Sequence, residues 1–433
     1  MLVCLGLSAA PASAAASDGF FGVMPQKGVN AAELAQMKAG GIESLRVAVP
    51  WTTIEPARNT YTFNGLDELV GNAARTGITV LPILYASPSW EATDSKNLPN
   101  TSVELNNWNA MLTTIVKRYG SQGSFWSNNP SIPKAPIGTW QIWNEQNTVW
   151  FVKPVRPIDY ANLVIQSAAT IRAQDPSARI MLGGMYSTPT TYQGVEAPAF
   201  LDSLYKVPGF ESSFDGVAIH PYSSSIDISI DSISNLRTEM NQSGDAGKGI
   251  YVTEIGWGSD SRTSLGQGSQ QAQARQLTGA YDALLANRES LGIRAVYWFA
   301  WKDATAGERT CDFCYGTGLL DSSGTPKLAW NALTSVIDSQ KASQSTPPPT
   351  TDSPATNAPV LAPCVVPKLT KKRIKLARRL LHKAHCRVHV VERSGRSARN
   401  RYGTVTSQSK KPSSVWPAGK KIRVVVARRK LSH

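Results

Sequence analysis

The chain has 433 residues, a formal net charge of +14 and a hydrophobic fraction of 41%. This fraction is enough to build a buried core, and the length predicts two or three domains. No apolar stretch in the sequence reaches the roughly 18 residues that a membrane helix needs, which argues against a spanning segment.

The positive charge is concentrated at the C-terminal end of the chain. Residues 361–433 hold 21 of the 45 Lys and Arg residues but only one of the 31 Asp and Glu residues. The preceding 360 residues therefore carry a net charge of −6. The sequence predicts a mildly acidic body followed by a strongly basic tail.

The N-terminal residues form an apolar run, MLVCLGL, followed by mostly small residues. Such a run is typical of the hydrophobic region and cleavage site of a secretory signal peptide, although the positive n-region is missing. We therefore predict a signal peptide over residues 1–16 and a secreted, extracellular protein. An ordinary buried N-terminal segment is the alternative.

Residues 17–340 alternate apolar, often β-branched runs with helical patterns, which indicates a parallel sheet buried on both faces. Eight such units predict an α/β fold of the (β/α)8 barrel type. An open doubly wound sheet is the alternative, but no glycine-rich phosphate loop follows the first strand. The predicted strands are FFGVMPQ (20–26), SLRVAVPW (44–51), TVLPILYA (79–86), TWQIWNE (139–145), RIMLGGMY (179–186), FDGVAIHPY (214–222), GIYVTEIGW (249–257) and AVYWFAWKD (295–303).

Polar and aromatic residues end several of these strands, and a barrel would bring them to one mouth. Glu145 ends the fourth strand and Glu254 ends the seventh, so on an eight-stranded ring they would face each other. Two opposed carboxylates suit glycoside hydrolysis, where one donates a proton to the leaving oxygen and the other attacks or stabilises the anomeric carbon. Ordinary ion pairing at strand ends is the alternative.

The strand-end motifs resemble those of clan A retaining glycoside hydrolases. IWNEQN (142–147) resembles their Trp-Asn-Glu motif, and YVTEIGW (251–257) resembles their seventh-strand nucleophile motif. The segment 41–63 is similar to the second strand of families 39 and 5, AIHPY (218–222) to the sixth-strand His-x-Tyr element, and AVYWFAWKD to the eighth strand. The resemblance covers roughly residues 20–338, and family 39 is the nearest.

This resemblance implies a retaining β-glycosidase in which Glu145 is the acid/base and Glu254 the nucleophile. Arg46 would pair with the charge on Glu254, and the nearby carboxylate would raise the pKa of Glu145. Retaining chemistry further predicts a separation of about 5–5.5 Å between the two carboxyl groups. The chemistry needs no cofactor, and no metal site is expected.

The resemblance also implies substrate-binding residues. Asn144 would contact the sugar 2-hydroxyl, Tyr222 would hydrogen-bond the nucleophile, and His220 would position the nucleophile or the sugar. Trp298, at the end of the eighth strand, is the candidate platform beneath the sugar, because sugar C–H faces stack on indole rings. Other tryptophans that the register places near the mouth are Trp51, Trp90, Trp150, Trp257 and Trp301, some of which must belong to the core. Of these, we expect Trp51 and Trp257 to bind the substrate.

Two other functions remain open for the body. A catalytically inactive carbohydrate- or cell-wall-binding barrel is the first alternative, and the presence of both glutamates, Arg46 and Asn144 argues against it. A metal-dependent hydrolase is the second, but His220 is the only histidine of the body, so a His/Asp ligand set is missing. The substrate class expected is a β-linked carbohydrate, with the sugar and the linkage left open.

Four cysteines follow the predicted signal peptide, and they form two local pairs. Cys311 and Cys314 lie in the loop after the eighth strand, and Cys364 and Cys386 lie in the tail. In an oxidising compartment we expect each pair to form a disulfide. A CxxC pair can also be a redox motif or half a zinc site, but no thioredoxin-like context or second ligand pair accompanies this one.

Residues 341–363 are rich in Ser, Thr and Pro and lack a hydrophobic period, which predicts a linker. Residues 364–433 are typical of a small α+β domain. They resemble a PASTA domain, a bacterial cell-wall-associated module, in four features that follow one another along the chain. These are Val-Pro-x-Leu, a basic amphipathic helix, Ser-Gln-Ser and Trp-Pro-Ala-Gly. In this domain, Cys364 and Cys386 would join the first strand to the helix end.

The charge of the tail suggests retention by a cell wall or another polyanion. Nucleic acid is not expected, because no stacking platform or groove-reading motif accompanies the charge. A solvated basic surface is the alternative.

Overall fold

The structure is a computed structural model that describes residues 19–189, 193–260, 265–305, 307–308, 311–345, 363–394, 403–416 and 421–428. The chain divides into two compact units, one up to Pro347 and one from Pro348. The predicted signal peptide lies outside the described residues. Among the described residues, no helix combines the length and the apolar character that crossing a membrane requires.

The first unit is a closed barrel of eight parallel strands, which confirms the predicted (β/α)8 fold. The fifth barrel strand consists of two pieces, β5 and β6, and the strand order is β5-β4-β3-β2-β1-β9-β8-β7-β6. Pairing of Met181 with Gly216 joins β5 to β7 and closes the ring. The strands are β1 (Phe21–Met24), β2 (Ser44–Pro50), β3 (Thr79–Tyr85), β4 (Thr139–Ile142), β5 (Arg179–Leu182), β6 (Met185–Tyr186), β7 (Gly216–His220), β8 (Gly249–Ile255) and β9 (Ile293–Phe299).

The helices of this unit pack their apolar faces on the outside of the barrel. In the third helix the buried residues Leu66, Val70 and Ala74 recur at four-residue spacing, and Gly77 ends the helix with φ of 69°. That left-handed conformation favours glycine. The helices are α1 (Ala31–Ala39), α2 (Trp51–Ile54), α3 (Asn64–Thr76), α4 (Ser102–Tyr119), α5 (Ser124–Asn128), α6 (Pro157–Gln174), α7 (Ala197–Tyr205), α8 (Ile226–Gln242), α9 (Gln270–Ala286), α10 (Arg288–Leu291) and α11 (Leu328–Ser345), with 3-10 turns at Glu211–Ser213 and Asp312–Tyr315.

Two separate sets of apolar side chains fill the unit. A large core lies between the strands and the helices. A small one lies inside the barrel and contains Leu81, Met181, Ala218, Ala295 and Tyr297. Because successive side chains of a strand point to opposite faces, a residue two positions beyond an interior residue points toward the barrel mouth.

The described residues of the second unit form two small sheets and one helix. In one sheet β14 pairs in parallel with β11 and antiparallel with β12, and in the other β10 pairs with β13. Helix α11 of the first unit extends to Ser345, into the segment that the sequence assigns to the linker. The elements are β10 (Cys364–Val365), α12 (Ile374–Lys383), β11 (Arg387–Ser394), β12 (Val405–Gln408), β13 (Val415–Trp416) and β14 (Lys421–Arg428).

Candidate active site

Glu145 and Glu254 come together at the barrel mouth. Glu254 lies within β8, and Glu145 follows β4, where its N–H donates to the carbonyl of Gly184 at 3.1 Å. Carboxylate oxygens of the two glutamates and a ring nitrogen of His220 lie within 4.8 Å of one another. All three residues are buried. The structure therefore brings two carboxyl groups close together at the place where the sequence predicts a site.

Arg46, on β2, holds three polar groups of this site with three hydrogen bonds. Its fully buried guanidinium donates to Gln141 Oε1 at 2.7 Å, to Glu254 Oε1 at 2.5 Å and to Asn144 Oδ1 at 2.7 Å. Gln141 in turn donates to the carbonyl of Leu182 at 3.0 Å. The planar guanidinium thus fixes the positions of all three acceptors, and its charge pairs with the buried Glu254 carboxylate.

The surroundings of Glu145 favour its protonated form. Burial raises the pKa of Glu145 well above its usual value, the charge of Glu254 raises it further, and Arg46 opposes the shift. One carboxyl oxygen of Glu145 lies 2.8 Å from Nδ1 of His220. The two buried carboxyl groups therefore differ in surroundings, since Arg46 bonds directly to Glu254 and not to Glu145.

His220 is a neutral imidazole between Glu145 and β8. Burial and the charge of Arg46 lower the pKa of His220 well below its usual value. Its Nε2 lies 3.0 Å from Thr253 Oγ1. With the imidazole proton on Nδ1, His220 donates to that oxygen of Glu145 and accepts the Thr253 hydroxyl proton at Nε2, which leaves the carboxyl proton of Glu145 on its other oxygen. His220 thereby fixes the direction of the Glu145 side chain.

The break between β5 and β6 makes room for this histidine. A Cβ atom on Gly184 would lie 2.0 Å from Nε2 of His220 and 2.6 Å from Oγ1 of Thr253. Only glycine fits a backbone that passes so close to the ring. Gly184 is therefore part of the site, although it has no side chain to contribute.

Tyr222, just after β7, donates its hydroxyl proton to the second oxygen of Glu254 at 3.0 Å. Burial and the two nearby carboxyl groups raise the pKa of Tyr222, so the phenol keeps this proton. The Glu254 carboxylate thus has a fixed donor on each oxygen, Arg46 on one and Tyr222 on the other. The two hydrogen bonds therefore fix the orientation of the carboxylate.

The predicted roles of three tryptophans need correction. The Trp298, Trp51 and Trp257 rings are buried in the core outside the barrel, so they cannot form a platform for sugar. Their indole nitrogens donate to the Thr317 carbonyl, to Glu55 and to the Ser223 carbonyl. Trp298 points away from the barrel interior because side chains alternate along a strand and its neighbour Tyr297 points inward. Trp301 is buried as well.

Phe299 is the residue at the end of β9 that points to the mouth, two positions beyond the interior Tyr297. Tyr85 ends β3 on the same side, and the nearby charges of Arg46 and Glu254 act on its pKa, which burial raises. Neither residue was predicted from the sequence. Counting in steps of two from a known interior residue would have found both.

A row of aromatic rings crosses the mouth, and we call Trp150, Tyr186, Tyr222 and Phe313 the aromatic row. Successive ring centroids lie 5.2 Å, 6.3 Å and 5.1 Å apart. Phe299 lies beside the end of the row, 5.9 Å from Phe313. Aromatic faces of this kind bind the apolar C–H faces of sugars. Only Tyr222 of the row was predicted as a site residue.

Both predicted disulfides are present in the structure, between Cys311 and Cys314 and between Cys364 and Cys386. The first closes the 3-10 turn that carries Phe313. Gln26 donates to the carbonyl of Cys314 at 3.3 Å and anchors the turn to the loop after β1. The bridge therefore supports one end of the aromatic row.

The cluster of Glu145, His220 and Glu254 is compact enough to hold a metal ion. However, Arg46 already bonds to Glu254 Oε1 and would repel a cation there. The donor set therefore fits proton transfer better than metal coordination.

The family model Glyco_hydro_42, described as Beta-galactosidase, matches residues 25–93 of the chain. This match covers a short part of the chain, from the end of the first barrel strand to the loop after the third. No curated protein matches the chain.

Several solved structures share the fold. A family 39 glycoside hydrolase from Bacteroides cellulosilyticus WH2 has a TM-score of 0.56 and 20% identity, covering 73% of this chain and 63% of that enzyme. A monomeric beta-xylosidase from Caulobacter crescentus CB15 has a TM-score of 0.54 and 18% identity, covering 75% and 69%. GH5_18 from Streptomyces cattleya, in complex with GlcNAc, has a TM-score of 0.56 and 15% identity, covering 88% and 85%.

This chain therefore spans less than two thirds of the family 39 protein named first. At these identities the structures show the shared barrel fold. The family match over residues 25–93 supports the glycoside hydrolase class that the sequence predicts.

Proposed function

We propose that the chain is a secreted retaining β-glycosidase that cleaves β-linked oligo- or polysaccharides through a covalent glycosyl-enzyme. The observation that supports it best is the pair of buried carboxyl groups, Glu145 and Glu254, with oxygens within 4.8 Å. Inverting enzymes need a larger separation, because a water molecule must fit between the carboxylate and the sugar. The short spacing therefore favours direct attack by one carboxylate.

In the first step, Glu254 attacks the anomeric carbon as the bond to the leaving oxygen breaks. Glu145 gives its proton to that oxygen, so the leaving sugar departs as a neutral alcohol. The raised pKa of Glu145 supplies the proton. Tyr222 and Arg46 hold the attacking carboxylate in place, because each donates a hydrogen bond to one of its oxygens.

In the second step, water replaces the leaving sugar beside Glu145. Once Glu254 is an ester it is uncharged, so one cause of the raised pKa of Glu145 disappears. Glu145 then accepts a proton from water, the water oxygen bonds to the anomeric carbon, and Glu254 is released. The same residue thus acts first as an acid and then as a base.

Asn144 is oriented to bind the sugar. Its Oδ1 accepts from Arg46, so the amide presents its NH2 group as a donor. We assign that group to the 2-hydroxyl of the sugar whose bond is broken. Such a hydrogen bond strengthens as charge develops in the transition state.

The proposal extends to the ends of the chain. Residues 1–16 would direct secretion, and the basic PASTA-like domain at 364–433 would hold the enzyme at a cell wall or another polyanion. The described part of this domain supports it with exposed basic residues such as Lys411, and with the half-buried Lys410, whose Nζ lies 4.0 Å from the centre of the Trp416 ring. A catalytically inactive carbohydrate-binding barrel remains the alternative.

A panel of aryl β-glycosides and β-linked polysaccharides tests the proposal, with Glu254→Ala beside the parent chain. We expect hydrolysis of at least one substrate, its loss in Glu254→Ala, and rescue by azide with formation of a glycosyl azide of inverted configuration. Glu68→Ala, at an exposed glutamate of α3, is the control. Full activity in Glu254→Ala would contradict the assignment, and sugar binding without any turnover would favour the inactive barrel.

A further inference from the structure

Trp150 differs from the other tryptophans of the described chain in its exposure. Its exposed fraction is 40%, whereas the tryptophans that the sequence assigns to the substrate are buried. A large apolar ring at the surface loses the free energy that burial would supply. Packing in the core therefore does not explain the position of Trp150.

The position is beside the candidate acid/base. Trp150 lies in the loop after β4, five residues after Glu145, and its ring contacts Tyr186 edge to face at 5.2 Å. Burial raises the pKa of the Tyr186 phenol, and the nearby Glu145 carboxyl group raises it further. Val149, next to Trp150, is 36% exposed and extends the apolar surface.

Hydrogen bonds on both sides hold this loop. Val149 N–H donates to the carbonyl of Gln193 at 2.8 Å, and the indole N–H of Trp143 donates to the carbonyl of Phe151 at 3.0 Å. Thr148 also bridges to Gly194, where a Cβ atom would lie 2.0 Å from the carbonyl oxygen of Asn147. The indole of Trp150 is thus presented by a supported backbone, which lowers the entropic cost of binding.

We propose that Trp150 is the platform of the leaving-group subsite and stacks on the apolar face of the sugar released in the first step. This inference rests on the proposed function. The acid/base must lie beside the glycosidic oxygen, so the leaving sugar lies on the Glu145 side of the mouth, where Trp150 is found. A platform there acts on substrates that have a leaving sugar and is irrelevant to those without one.

The experiment compares two substrates of the same glycosyl group, a β-linked disaccharide and the β-glycosyl fluoride, which has no leaving sugar. In Trp150→Ala we expect kcat/KM for the disaccharide to fall about tenfold, and that for the fluoride to stay within about twofold. Trp150→Phe should recover most of the loss. Hydrolysis of the fluoride also reports that each variant is folded.

Leu328→Ala is the matched control, because Leu328 is 39% exposed and follows β9, on the opposite side of the ring from β4. Leu328→Ala should leave kcat/KM unchanged for both substrates. Equal effects of Trp150→Ala on both substrates, or on neither, would overturn the subsite while leaving the proposed function intact. A parent chain that cleaves neither substrate would overturn the proposed function, and the subsite with it.

Discussion

Arg46 shows how much of the site depends on one side chain. It is permanently charged and fully buried, and its three acceptors come from β4, the residues after β4, and β8. Lysine could not replace it, since an ammonium group lacks the flat fork that reaches three acceptors in one plane. The distribution of charge between Glu145 and Glu254 follows from which of them receives this guanidinium.

The raised pKa of Glu145 predicts a stability effect with a definite sign. A carboxyl group whose pKa is higher in the folded state stabilises the fold below its unfolded-state pKa, and this stability is lost as pH rises through the folded-state pKa. Glu145→Gln removes the ionisable group. We therefore expect Glu145→Gln to have a higher Tm than the parent chain at alkaline pH and a similar Tm in acid.

Thermal unfolding between about pH 4 and 9 checks this prediction. Glu68→Gln, at an exposed glutamate, is the control and should follow the parent curve. If the Tm of Glu145→Gln stays parallel to that of the parent chain at every pH, Glu145 does not carry the shifted proton.

At the scale of elements, the turn closed by Cys311 and Cys314 has a specific consequence for the site. Phe313, inside this turn, packs on Tyr222 at 5.1 Å, and Tyr222 bonds to Glu254. The disulfide is thus two contacts away from the candidate nucleophile. A disturbance of the turn would therefore be expected to reach Glu254 through Tyr222.

Replacing both Cys311 and Cys314 with Ser is expected to lower kcat/KM about three- to tenfold, because the aromatic contact of Phe313 with Tyr222 loosens. The matched control replaces both Cys364 and Cys386 with Ser, which removes a bridge from the second unit. That variant should hydrolyse a soluble substrate at the parent rate. Identical kinetics in both double variants would show that the first bridge does not act on the site.

The elements also explain what the sequence could and could not predict. Strand order and strand ends were readable, because parallel strands form continuous apolar runs and end in polar residues, as at Glu145 and Glu254. The same continuous runs do not show whether a side chain points into the barrel or toward the helices. In the segment AVYWF (295–299) the sequence therefore left open which aromatic ring points into the barrel, and we chose Trp298. In the structure Phe299 points inward. The sequence placed Trp150 near the mouth but did not predict the aromatic row, because Phe313 and Trp150 come from loops whose paths depend on packing.

The whole molecule carries two surfaces of different physical character. The large exposed apolar side chains described in the first unit all follow barrel strands, in loops or in the first turn of a helix, and so lie on the mouth side. They are Val103, Val149, Trp150, Ile158, Ile228 and Leu328. The C-terminal unit instead carries a concentrated positive charge. Apolar contacts depend little on salt, whereas attraction to a polyanion is screened by it.

A salt series on the full chain and on a chain ending at residue 345 tests this division. We expect a resin bearing an anionic polysaccharide to retain the full chain at low salt and to release it by about 1 M, where the Debye length is about 3 Å. The shorter chain should pass through, with unchanged hydrolysis of a soluble substrate. Retention of the shorter chain, or retention of the full chain on a neutral resin, would contradict a polyanion-binding tail.

The filling of the barrel interior determines how molecules reach the site. Leu81, Met181 and Tyr297, with two alanines, occupy the space below the carboxyl groups, so reactants enter and products leave through the mouth. In the proposed second step, water must arrive by the route that the first product has just left. An alcohol on the same route competes with water for the glycosyl group. In the proposed mechanism, transglycosylation is therefore an inherent side reaction, and we expect it to favour as acceptor a sugar that Trp150 can hold.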